Sequence, residues 1–431
     1  MTDETRSFEL TRPLELTCFA LCVAHVVCLA TALIQGRWIV DSAGQLLTSD
    51  FLNIWTTGRL ALDGHPALPY DIALNKEAQV AVIGHDFEGT YPWLYPPTFL
   101  FPAAALALTP YVAAYAIWVM ATFAAYVAVI RGIIGNNIGI FLACAFPGIL
   151  SNLMVGQNGF LTAALIGGAL LIMPRRPIIA GCLLGLLTFK PHLGLLIPVA
   201  LVASGRWNVI GPATATTAVI AVLSLFTFGT APWEAFVNAL QTASQSTLSD
   251  GGGADWVKLQ SLYVVVRILG GGDGLAWGLQ VSLIGTIAVA LWVIWRSKVS
   301  YDLKAAALVT GMLLATPYIF LYDLVALAAA MAFVLRDATI RGFLPGEYAG
   351  LGLACFLIFI FPFAAVPVGL AAVLLVAVLI ARRVFTAEGA FARNVATSAL
   401  PTGARTPQSH SVNSPGVHCD AEAIHASGEN G

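Results

Sequence analysis

Residues 16–34 have the sequence LTCFALCVAHVVCLATALI and form the first long apolar stretch of the chain. A transmembrane helix needs roughly 20 apolar residues to cross a bilayer. A secretory signal peptide has a basic segment before its apolar core and a small-residue cleavage site after it. The charged residues before this stretch are Asp3, Glu4, Arg6, Glu9, Arg12 and Glu15. This segment is not basic and no Ala-x-Ala site follows, so the stretch predicts a first transmembrane helix.

The composition of the whole chain supports the same interpretation. Of its 431 residues, 58% are hydrophobic and only 10% are charged, with a mean hydropathy of +0.83. Soluble domains contain nearer a quarter charged residues, and no soluble fold hides this much apolar surface. The chain is therefore expected to be an all-α polytopic membrane protein. No nucleic-acid partner is expected.

Apolar segments suggest about 12 transmembrane helices. The predicted spans are 16–34, 98–131, 137–150, 158–173, 177–189, 191–204, 207–228, 275–295, 303–316, 318–335, 343–361 and 364–381. Residues 98–109 are too short to cross alone and are flanked by prolines, so we interpret them as a broken segment that leads into the helix from about 111 to 131.

Two polar regions complete the organisation of the chain. Residues 35–97 form a long first outer loop, in which 53–62 and 72–83 are candidates for short helices lying on the membrane. Residues 384–431 are rich in Ser, Ala, Gly, Pro and Thr without periodicity, which is typical of a disordered tail. The sequence thus predicts one transmembrane domain, 1–383, followed by this tail.

Lysines and arginines indicate the orientation, because cytoplasmic loops carry an excess of them. With the N-terminus inside, the expected outer segments hold Arg37, Arg59, Lys76, Lys190, Lys258 and Arg267. The other 15 of the 21 basic residues fall in expected inner segments. We therefore expect both termini in the cytoplasm and the long first loop on the outer face of the plasma (inner) membrane.

The unusual polar residues fall on this expected outer face. They are Asp50 in the loop, Tyr95 in the aromatic Tyr-Pro-Trp-Leu-Tyr-Pro-Pro run, Asn152, Gln157 and Asn158 in one turn, Lys190 and His192 in the next, and Tyr318, Tyr322 and Asp323. The inner turns carry little beyond basic residues. Any chemistry is therefore expected at the outer end.

Two interpretations remain open for the basic residues. Lys190, next to Pro191, lies between two apolar segments with almost no loop. Such a lysine either extends its ammonium to the interface or provides a cation for a phosphate, because ionisable groups at membrane depth are costly and usually functional. His192 is either a structural histidine or a second phosphate contact.

Other polar residues also have structural alternatives. The amides of Asn152, Gln157 and Asn158 could have a purely structural role, in which they hydrogen-bond the backbone of a tight turn. Asp323 could complement a helix dipole, act as an acid of the site, or pair with Lys190. The aromatic run around Tyr95 is either an interfacial belt or a rigid entry shaped by its prolines.

The order of the motifs resembles glycosyltransferase family 87. The motifs are Ser-Asp-Phe-x-x-x-Trp-x-x-Gly-Arg at 49–59, Tyr-Asp at 70–71, Tyr-Pro-Pro at 95–97, Asn-x-x-x-x-Gln-Asn at 152–158, Lys-Pro-His at 190–192 and Pro-Tyr-x-x-x-Tyr-Asp at 317–323. The resemblance covers roughly residues 16–383. It implies a GT-C-like transmembrane bundle and the chemistry of polyprenyl-phosphate-sugar-dependent enzymes, which include mannosyltransferases.

The resemblance implies roles for these positions. A mannose-like hexose would pass from a polyprenyl-phosphate donor to a lipid or glycan acceptor in the outer part of the bilayer, with inversion. Asp50 matches the catalytic acid position and is expected to act as general base. Lys190 and His192 are expected at the donor phosphate. The expected substrate-binding residues are Trp55, Arg59, Tyr95, Asn152, Gln157, Asn158, Tyr318, Tyr322 and Asp323.

No metal or other cofactor is expected, because the sequence has no Asp-x-Asp motif and its cysteines show no ligand spacing. A multi-span transporter or flippase of a lipid-linked or small polar substrate is the alternative, and a non-catalytic assembly or lipid-binding protein is a third class. An inverted repeat and acids at mid-membrane would favour a transporter. Neither is visible in the sequence.

Overall fold

A computed structural model describes residues 11–244, 256, 258–364 and 366–398. Within these ranges regular structure is helical, apart from isolated β-bridges. The α-helices are Arg12–Ile34, Asp50–Leu62, Ile72–Ile83, Leu100–Ala107, Tyr111–Ile134, Ile138–Ala145, Ile149–Val155, Gly159–Ile172, Pro177–Leu186, Ile197–Ala203, Trp207–Phe228, Ala231–Ser244, Leu262–Ile268, Asp273–Arg296, Tyr301–Ala315, Leu327–Arg341, Glu347–Ala364 and Val368–Ser398. Residues up to Glu388 form one compact unit, which contains every candidate site residue.

Five helices in the described ranges are long and apolar enough to cross a membrane. They are Arg12–Ile34, Tyr111–Ile134, Trp207–Phe228, Asp273–Arg296 and Val368–Glu388. A sixth is formed if the bent pair Ile138–Ala145 and Ile149–Val155 is one span. The helical membrane fold is therefore confirmed, whereas about 12 crossings stay a prediction.

Several predicted spans are shorter because breaks interrupt them. The predicted span 137–150 bends by 66° between its two helices, where Pro147 lacks the N–H that would continue the ladder. A short 3₁₀ turn at Leu187–Phe189 ends another span, and one at Leu321–Ala326 lies within a third. The Tyr301–Ala315 helix is buried along almost its whole length. Protein neighbours rather than lipid surround it, which relaxes the length that a lipid-facing helix needs.

Glycines set the closest helix contacts, as in many membrane proteins. A Cβ atom on Gly181 would lie 2.4 Å from the carbonyl oxygen of Val209, and one on Gly185 would lie 2.6 Å from that of Ala213. The Pro177–Leu186 helix therefore packs backbone to backbone against the Trp207–Phe228 helix.

The long first loop contains helices at both predicted positions, Asp50–Leu62 and Ile72–Ile83. The first of these is largely buried, and a Cβ on Gly58 would lie 1.9 Å from the Ala103 carbonyl oxygen. Asp71 begins the second helix as its N-cap and accepts hydrogen bonds from the backbone N–H groups of Ala73 and Leu74. That these helices lie on the membrane surface stays a prediction.

The C-terminal helix continues past the expected domain boundary. The Val368–Ser398 helix runs through the first part of the segment 384–431, where the composition predicts a disordered tail. Residues 399–431 lie outside the described residues, so the tail stays a prediction. The local sequence from 384 to 398 contains no proline, and alanine and arginine favour the helix there.

Carboxylates pair with arginines where the last helices begin and end. The Arg336 guanidinium binds both carboxylate oxygens of Asp302. Arg383 is almost fully buried and binds Asp337 at 2.7 Å as well as Glu347. These pairs connect helices distant in sequence, and their geometry specifies which helix ends meet.

Candidate active site

Four stretches of chain meet at one end of the bundle. The Tyr95 hydroxyl donates a hydrogen bond to Gln157 Oε1 at 3.1 Å. A Cβ on Gly159 would lie 2.2 Å from the Tyr322 carbonyl oxygen, so the turn before Gly159 packs against the Tyr318–Asp323 segment. Lys190 in turn reaches that segment from the third stretch. The structure thus brings together turns that the sequence placed on one face.

Lys190 and Asp323 form a buried ion pair. The Lys190 ammonium donates to Asp323 Oδ1, and the two side chains are 4% and 1% exposed. The ammonium also lies 5.2 Å from the centre of the Tyr322 ring, a cation–π contact. Lys190 therefore does not extend to solvent, and the structure contains the pairing with Lys190 that was one of the alternatives for Asp323.

Asp323 also fixes the local backbone. Its second carboxylate oxygen accepts a hydrogen bond from the Phe320 N–H at 3.3 Å, at the start of the Leu321–Ala326 turn. The same segment is held from the other side by Gln260, whose N–H donates to the Ile319 carbonyl at 2.7 Å. The carboxylate that positions Lys190 is thus itself held at both oxygens.

His192 follows Lys190 by two residues and lies beside this pair. Its Nε2 is buried with no hydrogen-bond partner among the described residues. Its ring centre lies 6.4 Å from that of Tyr318. A neutral imidazole offers a phosphate one N–H donor and no charge.

Tyr95 connects the two acids of the site. Burial raises the pKa of its phenol, and the nearby carboxylates of Asp323 and Asp50 raise it further. The same two carboxylates and the Tyr95 phenol also act electrostatically on Tyr322. Asp50, Tyr95, Tyr322 and Asp323 therefore lie close enough to one another to interact electrostatically.

The two asparagines of the Asn-x-x-x-x-Gln-Asn motif have different surroundings. With its amide oriented to satisfy both groups, Asn152 donates to the Gln157 carbonyl and accepts from the Phe160 N–H, each at 2.9 Å. This is the structural alternative for Asn152, which holds the turn. Asn158 is fully buried beside the Tyr95 hydroxyl, but its amide makes no hydrogen bond of normal geometry with the described residues.

An unpaired buried amide costs roughly 1–3 kcal/mol. Asn158 is therefore the residue of this turn whose polar atoms are most readily explained by a bound substrate. The sequence placed Asn152, Gln157 and Asn158 together but did not separate their roles.

Asp50 is the first residue of the Asp50–Leu62 helix and is half-buried. The preceding Ser49 hydroxyl lies 3.2 Å from the Tyr111 hydroxyl. The Phe51 ring packs edge-on against the rings of Tyr111 and Tyr115, with centres 5.4 and 5.0 Å apart. The carboxylate is thus carried on a rigidly packed helix end, where a negative charge also complements the helix dipole.

Two predicted substrate-binding residues have their contacts elsewhere. Trp55 donates its indole N–H to the Thr109 carbonyl at 3.0 Å, and so anchors the helix. Arg59 is exposed and pairs with Asp63 at 3.2 Å. At 1.5 Å per residue, Arg59 lies about 13 Å along the helix from Asp50. The contacts of Trp55 with Thr109 and of Arg59 with Asp63 involve no other predicted site residue.

A buried amide network that the sequence analysis missed holds the aromatic run in place. Asn53 Oδ1 accepts from Asn75 Nδ2 and Gln79 Nε2, each at 3.1 Å. Both of these amides also donate to the Tyr91 carbonyl, at 3.2 and 3.0 Å. Asn53 Nδ2 donates to the Pro92 carbonyl at 3.0 Å.

This network joins the helix that carries Asp50 to the segment that carries Tyr95. Asn53 lies one turn after Asp50, and Asn75 and Gln79 have the i, i+4 spacing of neighbours on one helix face. This i, i+4 spacing was the signal in the sequence that could have indicated the network. Without a fold, three amides in a polar loop are indistinguishable from solvent-facing residues.

The fold and the cluster define an all-helical, multi-pass membrane protein with a polar site at one end of its bundle. The family model of glycosyltransferase family 87 matches residues 93–317, more than half of the chain, and the chain belongs to this family. No curated protein and no solved structure matches the chain significantly.

Family membership confirms the resemblance based on the ordered motifs. It implies glycosyltransferase activity. Neither alternative, a transporter or a non-catalytic assembly protein, accounts for such an activity. The matched range contains Tyr95, Gln157, Asn158 and Lys190. It does not contain Asp50, so the role of that residue is argued from its position alone.

Proposed function

We propose that this membrane glycosyltransferase moves a mannose-like hexose from a polyprenyl-phosphate donor to a lipid or glycan acceptor. The reaction takes place at the outer face of the plasma membrane, and both termini lie in the cytoplasm. The observation that carries the proposal is the proximity of Asp50, Tyr95 and the Lys190–Asp323 pair in a chain of this family.

Asp50 is proposed as the general base. The acceptor hydroxyl attacks the anomeric carbon, and Asp50 takes the hydroxyl proton as the new carbon–oxygen bond forms. The bond between the anomeric carbon and the lipid phosphate breaks, and its electron pair leaves with the phosphate. A displacement in one step inverts the anomeric centre.

Lys190 is proposed to stabilise the departing phosphate. An ammonium has three donors, and Asp323 takes one of them. The remaining donors are oriented by that pair and by the Tyr322 ring. His192 and the buried Asn158 amide would add hydrogen bonds to the phosphate or the sugar. Such donors, fixed before the reaction, stabilise charge that develops in the transition state.

Sugar transfer by the purified protein in nanodiscs tests this proposal. Asp50→Asn keeps the size of the side chain but does not accept a proton, so we expect turnover to fall by roughly 10²–10⁴-fold. Donor binding should stay close to wild type. The matched control is Asp63→Asn at the other end of the same helix, where the carboxylate is exposed and pairs only with Arg59 in the described structure.

Turnover near wild type in Asp50→Asn would exclude Asp50 as the base and leave Asp323 as the other acid of the site. If Asp63→Asn lost as much turnover as Asp50→Asn, the effect would come from a disturbed helix rather than from proton transfer. No transfer from any polyprenyl-phosphate sugar by the wild-type protein would contradict the proposed donor class.

A further inference from the structure

A basic cavity lies at the opposite end of the bundle from the candidate active site. It has a volume of about 630 Å³ and lies between the turn at Ser204–Arg206, the end of the Asp273–Arg296 helix and the first turn of the Tyr301–Ala315 helix. Lys304 lines it, and this residue is about 17 Å along the helix axis from Ala315, after which the site segment begins. The volume is in the range of small-molecule sites.

Three cations line this cavity without counter-charges. They are Arg206, Arg296 and Lys304, and no acidic residue is among the lining residues. Within the described part of the chain, none of the three forms an ion pair with a carboxylate. By contrast, Arg336, Arg341 and Arg383 at the same end are each paired with Asp or Glu. The chain thus pairs several cations at this end with carboxylates but leaves these three facing one volume.

The cations are held in place by contacts that leave donors available. Lys304 Nζ donates to the carbonyls of Trp295 and Ser297, at 3.2 and 2.7 Å, which uses two of its three donors. The Arg206 guanidinium lies 5.3 Å from the centre of the Tyr301 ring. A guanidinium held by an aromatic ring keeps its N–H groups available, and these are well suited to phosphate oxygens.

The edge of the cavity is apolar and exposed. Val202, Trp207 and Val293 are 40%, 66% and 54% exposed, on three helices next to the cations. A free phosphate ion has no use for such an edge, whereas the acyl chains of a lipid would cover it. Basic pockets between transmembrane helices bind anionic lipid head groups in this way.

We propose that this cavity binds the phosphate group of an anionic membrane lipid. The phosphate lies among Arg206, Arg296 and Lys304, and the acyl chains run along the exposed apolar side chains beside them. The site is separate from the proposed glycosyl transfer, because it lies at the other end of the helices that carry Lys190 and Asp323.

Native mass spectrometry of the full-length purified protein tests the site. The protein is titrated with phosphatidylglycerol, with phosphatidylcholine and with inorganic phosphate. We expect phosphatidylglycerol to bind in preference to phosphatidylcholine, and an equal concentration of inorganic phosphate not to displace it. In Arg206→Gln/Arg296→Gln the apparent affinity for phosphatidylglycerol should fall by roughly tenfold for each lost charge-assisted contact.

The matched control is Arg175→Gln/Arg176→Gln, which removes the same charge from exposed residues at the same end but outside the cavity. It should retain the lipid, as should Arg206→Lys/Arg296→Lys, which keeps both charges. Equal losses in the two glutamine variants, or none in either, would overturn the proposal. Displacement by inorganic phosphate without a preference between the lipids would overturn the assignment to a lipid.

Discussion

Because Lys190 forms an ion pair with Asp323, replacement of this lysine is expected to affect the stability of the protein as well as its activity. Both side chains are almost completely buried, and Asp323 has no other cation among its described partners. Removal of one member of a buried pair leaves the other as an uncompensated charge, which costs about 3–5 kcal/mol. A loss of activity in Lys190→Met alone would therefore mix misfolding with a lost phosphate contact.

A double-mutant cycle separates these effects. We expect Lys190→Met to destabilise the protein, and Lys190→Met/Asp323→Leu to regain most of that stability, because an apolar pair can replace a buried ion pair. Turnover should stay low in the double variant if the ammonium also contacts the donor phosphate. Thermal unfolding and sugar-transfer assays on the same preparations measure the two quantities.

The control for this cycle is Asp323→Asn, which keeps the shape of the acid and leaves Lys190 charged. If the double variant recovered turnover together with stability, Lys190 would have only a structural role. The proposed phosphate contact would then fall to His192 and Asn158.

At the scale of single residues, the sequence predicted the polar types of the site better than their roles. Lys190 and Asp323 are 133 residues apart, so their pairing was one of several alternatives until the fold was known. Trp55 and Arg59 share a motif with Asp50, but the helix turns them toward Thr109 and Asp63 instead. Asn53 went unnoticed because its partners lie on another helix.

At the scale of helices, the close approach of the Gly159–Ile172 helix to the Tyr318–Asp323 segment has a direct test. A Cβ at position 159 would lie 2.2 Å from the Tyr322 carbonyl oxygen. Gly159→Ala is therefore expected to displace that segment and to cost about 1–3 kcal/mol through overpacking. Turnover should fall with it, because Lys190 and Asp323 lose their alignment.

The control is Gly211→Ala, in a membrane helix where no atom would contact the added methyl group. It should be close to wild type in thermal unfolding and in sugar transfer. If Gly159→Ala retained wild-type stability and activity, the packing of these two segments would not control the geometry of the site.

Hydropathy predicted where helices lie but not where they break. Each predicted span contains helical residues, and the two loop helices begin within a few residues of their predicted positions. The bend within 137–150 and the 3₁₀ turn around Asp323 were not predicted as breaks, whereas the turn at Lys190 was. Tertiary contacts decide where a helix breaks. Each break leaves polar backbone groups and side chains in places where a straight helix would bury them.

For the whole molecule, the orientation follows from 15 basic residues expected inside and six outside. An impermeant maleimide reagent on intact cells should label His65→Cys, near Gly64 in the first loop, because that position is exposed. It should not label Ser297→Cys until the cells are permeabilised. The native cysteines are first replaced by serine or alanine to remove background.

Labelling of Ser297→Cys alone in intact cells would reverse the orientation. The cluster around Asp50 would then face the cytoplasm, and the cavity around Lys304 would face outward. The proposed reaction at the outer face would be excluded, whereas the contacts within each site would remain as they are.

The separation of Lys190 from its partner also has a consequence for how the chain is made. At about 5–20 residues per second, the ribosome needs roughly 7 to 27 s to go from position 190 to position 323. During that time the lysine has been synthesised, but the carboxylate that neutralises it does not yet exist. Until Asp323 has been synthesised and its turn has formed, the ammonium must therefore stay hydrated at the membrane surface or pair with another anion.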